Sequence, residues 1–219
     1  MSRLVLMGGG PHAKVVLETL RAAGLYEVAG VLEPGAAARS LLGAPVLGGD
    51  DVLPRLRTEG VTHAIVTVGD NSLRRRLAAR AQAAGLELAQ AIHPRAAISP
   101  TARLAPGVVV MAGAVINAEA TVGPLAIVNT GAVVDHDCRL DEAVHVGPGC
   151  ALAGGVRVGL GAFLGAGVSA IPQVGVGRWA IVGAGAAVVR DIPDLAVAYG
   201  APARVARTRN DIRSEDLAE

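Results

Sequence analysis

A histidine between two aspartates stands out in this chain of 219 residues. Asp135, His136 and Asp137 lie in the segment AVVDHDC, between long stretches of Val, Ala, Gly and Leu. A neutral imidazole, with an ordinary pKa of about 6.5, can take a proton from a nucleophile near pH 7. A neighbouring carboxylate fixes the tautomer of such a ring, and either aspartate is placed to do so. The triplet therefore predicts general-base chemistry, with His136 as the base.

A second candidate site follows the first apolar stretch of the chain. In the segment GGGPHAK, Gly8, Gly10 and Ala13 fit the pattern G-x-G-x-x-G/A at the start of an amphipathic segment. Backbone amides and a helix N-terminus in that arrangement can hold a diphosphate. Glu33 follows Ala13 by twenty residues, where an acidic group can hold a ribose hydroxyl. The alternative is a tight glycine turn that binds nothing.

Two side chains beside this loop are further candidates. Lys14 is the only lysine in the chain, and the other cationic residues are arginine. His12 precedes it by two residues. The two side chains either line a ligand site or lie on an ordinary helix surface.

The residues around His136 repeat with a period of six. From Ile98 to Val188, every sixth residue is Ile, Leu or Val except Ala170, and a small or branched residue recurs four positions later. This period predicts a parallel β-helix in which each hexad is a short strand and a tight turn, and three hexads form one coil. Branched side chains would stack along the axis. Glycine often follows the aliphatic residue, and we expect it to relieve strain at positive φ in the turns.

Residues 3–93 have a different pattern, with four apolar strand-like segments alternating with three amphipathic ones. Alternating strands and helices predict a parallel sheet, here about half of a classic dinucleotide-binding fold. A module of that size fits one nucleotide better than NAD. We therefore predict an α/β half-Rossmann module at 1–93, an all-β parallel β-helix at 94–195 and a C-terminal tail at 196–219.

Composition excludes several classes of partner. The net charge is +1 and no basic block occurs, which makes nucleic acid an unsuitable partner. Apolar stretches are interrupted well before the ~20 residues that a membrane span needs, and the start of the chain lacks a signal peptide. We expect a cytoplasmic protein. Its two cysteines, Cys138 and Cys150, occupy small-residue positions of the repeat, which favours packing over metal or redox chemistry.

Together, GGGPHAKVV, IVNTGAVVDHDC and AVAYGAPARVAR resemble the sialic acid O-acetyltransferases and nucleotide-sugar N-acetyltransferases over roughly residues 3–207. The resemblance implies a left-handed β-helix, a homotrimer with active sites at subunit interfaces, acetyl-CoA as co-substrate and a nucleotide sugar as acceptor. It favours direct N-acetylation of a 4-amino-4,6-dideoxy sugar for a bacterial surface glycan. The alternative is a sugar O-acetyltransferase of the sialic acid type.

The resemblance also implies roles for individual residues. It makes His136 the catalytic base and favours Asp135 over Asp137 as its partner. The nucleotide-sugar site would include Gly10, Pro11, His12, Glu33, Pro34, Gly69 and Asn129, with Lys14 beside it, and the coenzyme site would include His145, Gly154, Ala166 and Ala184. Pro11 and Ala184 stand where the family often has glycine, so details of the loop and of the coenzyme groove can differ.

Three rival functions use some of the same features. An NAD-dependent oxidoreductase would need the glycine loop but leaves the hexads unexplained. A γ-type zinc carbonic anhydrase needs three histidine ligands, and residues 98–188 contain only His136 and His145, so no metal is expected. A non-enzymatic scaffold would bind no acetyl-CoA.

Overall fold

The computed structural model describes residues 1–35, 39–213 and 216, and the chain divides into two compact units, residues 1–94 and 95–219. The first unit contains, in chain order, β1 (Ser2–Met7), α1 (Pro11–Ala23), β2 (Tyr26–Leu32), β3 (Ser40–Leu41), β4 (Ala44–Gly48), a 3-10 turn (Asp50–Val52), α2 (Leu53–Thr58), β5 (Val61–Val66), α3 (Asn71–Ala83), β6 (Glu87–Leu88) and β7 (Ala91–Ile92).

The first unit is built on a six-stranded sheet with the order β3-β4-β2-β1-β5-β6. The strands are parallel except for β3, which pairs antiparallel with β4. This confirms the predicted α/β module, although the short β3–β4 hairpin was not predicted. Because β1 lies between β2 and β5, the loops that follow these three strands meet at one edge of the sheet. Ligands of open α/β sheets bind at such an edge.

The helix boundaries follow ordinary capping rules. Helix α1 begins at Pro11 and is capped at its C-terminus by Gly24, which is left-handed and donates its N–H to the Leu20 carbonyl. Pro54 lies in the first turn of α2, where its missing N–H costs nothing. The Asp70 carboxylate caps α3 by accepting from the Leu73 amide at 2.6 Å.

The second unit consists almost entirely of two-residue strands. They are β8 (Ala97–Ile98), β9 (Arg103–Leu104), β10 (Val109–Val110), β11 (Val115–Ile116), β12 (Thr121–Val122), β13 (Ile127–Val128), β14 (Val133–Val134), β15 (Arg139–Leu140), β16 (His145–Val146), β17 (Ala151–Leu152), β18 (Arg157–Val158), β19 (Phe163–Leu164), β20 (Ser169–Ala170), β21 (Gly175–Val176), β22 (Ile181–Val182), β23 (Ala187–Val188), β24 (Ala196–Tyr199) and β25 (Arg204–Thr208).

These strands form three stacked sheets. The first contains β8, β11, β14, β17, β20 and β23; the second contains β9, β12, β15, β18 and β21; the third contains β10, β13, β16, β19, β22, β24 and β25. From β8 to β23, neighbouring strands are parallel and pair residues eighteen positions apart, such as Val134 with Leu152; β22 and β24 are also parallel but pair residues sixteen positions apart, such as Ile181 with Val197. Among the described strands of this unit, β25 alone is antiparallel, and it pairs with β24. The predicted β-helix is therefore confirmed.

The branched residue of each hexad forms the core. Ile98 and Leu104 in the first two hexads are partly exposed, and every sixth residue from Val110 to Val188 is buried. Cys138 and Cys150 are buried free thiols whose Sγ atoms donate to backbone carbonyls of Ala153 and Gly165. Among the residues that the structure describes, no helix has the length and apolar character needed to span a bilayer.

The residue with a positive φ in each turn is not the one that the sequence pattern indicated. From Gly107 to Gly185, every sixth residue has a positive φ, including non-glycine residues such as Asp137. The glycines directly after the aliphatic residue do not, so our expectation for them was wrong. They are small for another reason: a Cβ on Gly123 would lie 2.7 Å from the carbonyl carbon of Asp141 in the next coil. Close approach of successive coils excludes a side chain there.

We therefore expect Gly123→Ala to lower the free energy of unfolding by about 2–3 kcal/mol, because backbone atoms would have to move apart. Gly113→Ala is the matched control: its φ is 71°, but a Cβ there would have no neighbour closer than 3.9 Å. That change should cost only about 1 kcal/mol of left-handed strain. Urea unfolding of both variants measures the difference, and equal losses would contradict the close-approach explanation.

Candidate active site

His136 lies in the turn between β14 and β15, at the corner where the first sheet gives way to the second. Its Nδ1 atom is 2.7 Å from Oδ2 of Asp137, and 60% of its side chain is exposed. Asp137 occupies the left-handed position of this turn, with a φ of 58°. An aspartate tolerates that conformation better than most residues. The turn thus holds a carboxylate against one nitrogen of an accessible imidazole.

Asp135 has a different position from the one expected. Its Oδ1 atom accepts hydrogen bonds from the His136 backbone amide and from Asn117 Nδ2, both at 2.8 Å. Asn117 lies one coil earlier in the stack. Because the Asp135 carboxylate is bonded to that coil and to the backbone, the ring contact belongs to Asp137. The expectation that Asp135 orients the ring is corrected on this point.

The charges around the ring favour its protonated form. The hydrogen bond to Asp137 raises the pKa of His136 above its ordinary value, and the charge of Asp135 adds to this effect. Hydrogen bonds from Asn117 and from the His136 amide lower the pKa of Asp135. A carboxylate on Nδ1 places the ring proton there in the neutral form, which leaves Nε2 as the acceptor. This is the arrangement of a general base.

Gly154, expected at the coenzyme site, lies one coil beyond His136 and directly against its ring. A Cβ on Gly154 would lie 2.5 Å from Cε1 and 2.6 Å from Nε2 of His136. The absence of a side chain at this position therefore leaves room for the imidazole.

Asn129 and His145 form a second polar cluster. The Thr130 amide donates to Asn129 Oδ1 at 2.8 Å, so the amide nitrogen of Asn129 faces His145 Nε2, 3.3 Å away. His145 Nε2 is then the acceptor, and the neutral ring carries its proton on Nδ1. The ring meets Phe163 edge-on, with 5.1 Å between centroids, and only 7% of His145 is exposed. This histidine is held in place far more tightly than His136.

Ala166 and Ala184 lie eighteen residues apart on the corner between the third and first sheets, the same corner as Asn129. Both are exposed. Among the described residues, no acceptor binds either of their amides. These two amides are therefore donors available to a ligand along this corner.

His136 and His145 are not brought together within one chain. They are nine residues apart, which is half of an eighteen-residue coil, so they lie on opposite sides of the β-helix. With six residues to a side, the separation is on the order of 15 Å. The residues predicted on the β-helix thus divide into one cluster around His136 and another around His145.

The loops of the first unit are joined by Thr67 at the end of β5. Its hydroxyl donates to the carbonyl of Met7 at 3.0 Å and is 2.6 Å from that of Gly8. Gly8 has a φ of 109°, and a Cβ there would lie 2.6 Å from Val68. The loops after β1 and β5 are therefore in direct contact.

Glu33 lies just after β2, and its carboxylate accepts from the Gly9 amide. The expected pattern, in which the glycine-loop amides face a diphosphate, is therefore wrong for Gly9. A Cβ on Gly10 or Gly69 would have no neighbour within 4 Å, so these two positions border open space. Pro34 is exposed nearby.

Pro11, His12 and Lys14 lie in the first turn of α1, and Pro11 and Lys14 are exposed. Burial, with a further contribution from the Arg74 charge, lowers the pKa of His12 to about 4. His12 is therefore neutral near pH 7. Arg74 was not among the predicted site residues, because it belongs to a run of three arginines, and such basic runs usually face solvent.

Among the described residues, no group of three or more His, Cys, Asp or Glu side chains is placed to hold a metal ion. The polar side chains of the β-helix instead form pairs, such as His136 with Asp137.

Residues 3–81 match the model of the PglD N-terminal domain family. No curated protein matches the chain. Among solved structures, an alignment covering 94% of this chain and 97% of the other matches perosamine N-acetyltransferase from Caulobacter crescentus, in complex with CoA and GDP-perosamine, with 52% identity and a TM-score of 0.91. In that structure one histidine is replaced by asparagine.

Two further structures extend the comparison. PerB from Caulobacter crescentus, also with CoA and GDP-perosamine, is 53% identical over 94% of this chain and 97% of the other, with a TM-score of 0.90. The acetyltransferase domain of PglB from Neisseria gonorrhoeae, with acetyl coenzyme A, is 41% identical over 93% of this chain and 98% of the other, with a TM-score of 0.88.

The contact between His136 and Asp137 can be measured directly. We expect the pKa of His136, followed by NMR, to lie above 6.5 and to fall in Asp137→Asn, because the amide carries no charge and cannot accept the ring proton as a carboxylate does. Asp135→Asn should lower it less. Asp141→Asn, on the next corner, should leave it unchanged. A larger fall in Asp135→Asn than in Asp137→Asn would contradict the geometry.

Proposed function

We propose that this chain, which belongs to the nucleotide-sugar acetyltransferases of the hexapeptide-repeat family, transfers the acetyl group of acetyl-CoA to the amine of a nucleotide-linked 4-amino-4,6-dideoxy sugar. GDP-perosamine is the first acceptor to test, because a relative 52% identical over nearly the whole chain binds it together with CoA. The observation that carries the proposal within the chain is the accessible imidazole of His136, 2.7 Å from a carboxylate.

The chemistry is a direct transfer. The acceptor amine attacks the thioester carbonyl, a C–N bond forms, and the C–S bond breaks to release CoA. His136 Nε2 takes a proton from the attacking nitrogen and returns it to the departing thiolate, so the base is regenerated. A positioned base of this kind contributes about 10²–10⁴-fold in rate. The remainder comes from holding amine and thioester together.

The two aspartates have separate roles in this mechanism. Asp137 holds the proton of the neutral ring on Nδ1 and stabilises the imidazolium that forms when Nε2 accepts. Asp135 fixes the backbone of the turn through the His136 amide and Asn117. It also adds negative charge near the imidazolium. Asp135 is thus a positioning residue that acts through His136.

The second cluster is proposed to bind the coenzyme. Ala166 and Ala184 offer backbone amides along one corner, which suit the carbonyl oxygens of the pantetheine arm. His145 and Asn129, whose Nε2 and Nδ2 atoms are 3.3 Å apart, are assigned to the thioester region. Because His145 lies half a coil away from His136, a complete site needs His136 from one copy of the chain and His145 from another.

We therefore propose a homotrimer with its active sites between subunits. The first sheet lies between the corner that carries His136 and the corner that carries Asn129. If neighbouring copies pack through this sheet, the His136 corner of one copy meets the Asn129 corner of the next. Its outward side chains are small and uncharged: Ala97, Val115, Val133, Ala151, Ser169 and Ala187. The outward side chains of the second sheet, by contrast, include Arg103, Arg139 and Arg157.

The N-terminal unit is proposed to bind the nucleotide. Gly10 and Gly69 border open space at the edge where the loops after β1 and β5 meet, and Pro11, His12, Lys14, Glu33 and Pro34 lie around it. Acetyl-CoA and nucleotide sugars are cytoplasmic metabolites. We place the reaction in the cytoplasm, where the two buried thiols also remain reduced.

The substrate is tested by thiol release from acetyl-CoA with a panel of acceptors: GDP-, UDP-, CDP- and dTDP-linked 4-amino-4,6-dideoxy sugars, and free sialic acid. We expect turnover with an amino sugar nucleotide and a loss of about 10²–10⁴-fold in kcat for His136→Ala. Gly175→Ala is the control for His136→Ala and should leave kcat unchanged, because a Cβ there has no neighbour closer than 3.6 Å. Turnover with sialic acid alone would identify the chain as an O-acetyltransferase instead.

Sharing of the site is tested by mixing inactive variants. His136→Ala and His145→Ala chains, unfolded together and refolded at equal concentration, should regain activity that neither variant has alone. If each site takes one histidine from each of two copies, random mixing leaves about one quarter of the sites intact, since each contribution is intact half of the time. Failure of the mixture to exceed the separate variants would show that both histidines act from one chain.

A further inference from the structure

Arg74 on α3 is buried beneath the loop that follows β5. Only 1% of the residue is exposed. Its guanidinium donates to the carbonyls of Val68 at 3.2 Å and Gly69 at 3.3 Å, and to Asn71 Oδ1 at 2.8 Å. The side chain therefore crosses the start of its own helix and holds the loop that carries Gly69.

A buried guanidinium is costly at this position. Burial lowers the pKa of Arg74 to about 10, and the charge of Asp70 opposes this effect. Arg74 remains protonated at pH 7. An apolar side chain of similar volume would cost less at a purely structural position.

The held loop is one wall of the open edge of the sheet. Val68 packs against Gly8, and the Thr67 hydroxyl bonds the strand end that precedes Gly8. Arg74 thus acts on both loops: it bonds the second directly and reaches the first through Val68. Its charge is also close enough to His12 to lower the pKa of that ring.

A nucleoside diphosphate bound at this edge of the sheet would need a positive charge nearby. A nucleoside diphosphate carries two or more negative charges, and the Glu33 carboxylate already lies on the Gly9 amide. The N-terminus of α1 supplies only about half a positive charge. His12 is neutral, and the Lys14 side chain is exposed. Arg74 supplies a full charge from a fixed and poorly screened position.

We infer that Arg74 is the residue that makes the N-terminal site selective for a diphosphate, by fixing the Val68–Gly69 loop and placing a buried positive charge behind it. The inference rests on the proposed nucleotide-sugar substrate. It assigns Arg74 a positioning and electrostatic role, with the diphosphate bound at the loops rather than on the guanidinium.

Titration calorimetry with GDP and GMP tests this on the full chain, without acetyl transfer. Arg74→Met should weaken GDP binding about 10–100-fold and GMP binding less, because the lost charge acts on each added phosphate. Arg74→Lys should lie between, since it keeps the charge and loses the planar fork. Arg80→Met is the control: Arg80 is an exposed residue of the same helix, 2.7 Å from Asp50. It should bind like the unmodified chain.

In steady-state kinetics, the KM for the nucleotide sugar should rise in Arg74→Met while the KM for acetyl-CoA stays within about twofold. If Arg74→Met does not fold, Arg74→Lys gives the same comparison. Equal losses of GDP and GMP affinity, or unchanged GDP affinity, would overturn the inference. If the unmodified chain binds no GDP, the same ratio is measured with UDP, CDP and dTDP, and binding of none of them would also overturn it. The acceptor panel is an independent test of acetyl transfer.

Discussion

The structure of the β-helix depends on one backbone constraint: from residue 107 to residue 185, one residue in each successive hexad has a positive φ. Fourteen successive turns, from residue 107 to residue 185, satisfy it. Most use glycine, but at position 137 the residue is aspartate. That choice places a carboxylate beside the preceding histidine at the corner between the first and second sheets. The left-handed residue of the turn, Asp137, therefore also supplies the carboxylate partner of the proposed base, and no insertion in the repeat is needed.

Stacking by eighteen residues explains how the rest of the site is supported. Asn117 lies one coil before Asp135 and bonds its carboxylate, and Gly154 lies one coil after His136 and leaves space for its ring. The same stacking separates His136 from His145 by half a coil. A regular solenoid thus forms two incomplete clusters on two corners, which is the physical reason to propose that the active site is shared between copies.

The sequence predicted the architecture well because both of its periods are strong. The hexads specify which side chain faces the axis, and the alternation of apolar segments specifies the parallel sheet of the first unit. Details set by contacts between distant residues were not predictable. The role of Gly123 depends on the backbone of the next coil. Arg74 lies in a basic run that is typical of a helix surface, yet its guanidinium is buried and donates to carbonyls of the loop after β5. Asp137 and Asp135 flank the histidine equally in sequence, and only the left-handed turn distinguishes them.

The central claim is that His136 of one copy meets a thioester held by the corner of another. A crystal structure with CoA and GDP-perosamine tests it most directly. The account predicts the CoA sulfur within about 4 Å of His136 Nε2, with the pantetheine arm along Ala166 and Ala184 of a neighbouring copy. A sulfur remote from His136, or a coenzyme bound by one chain alone, would contradict it.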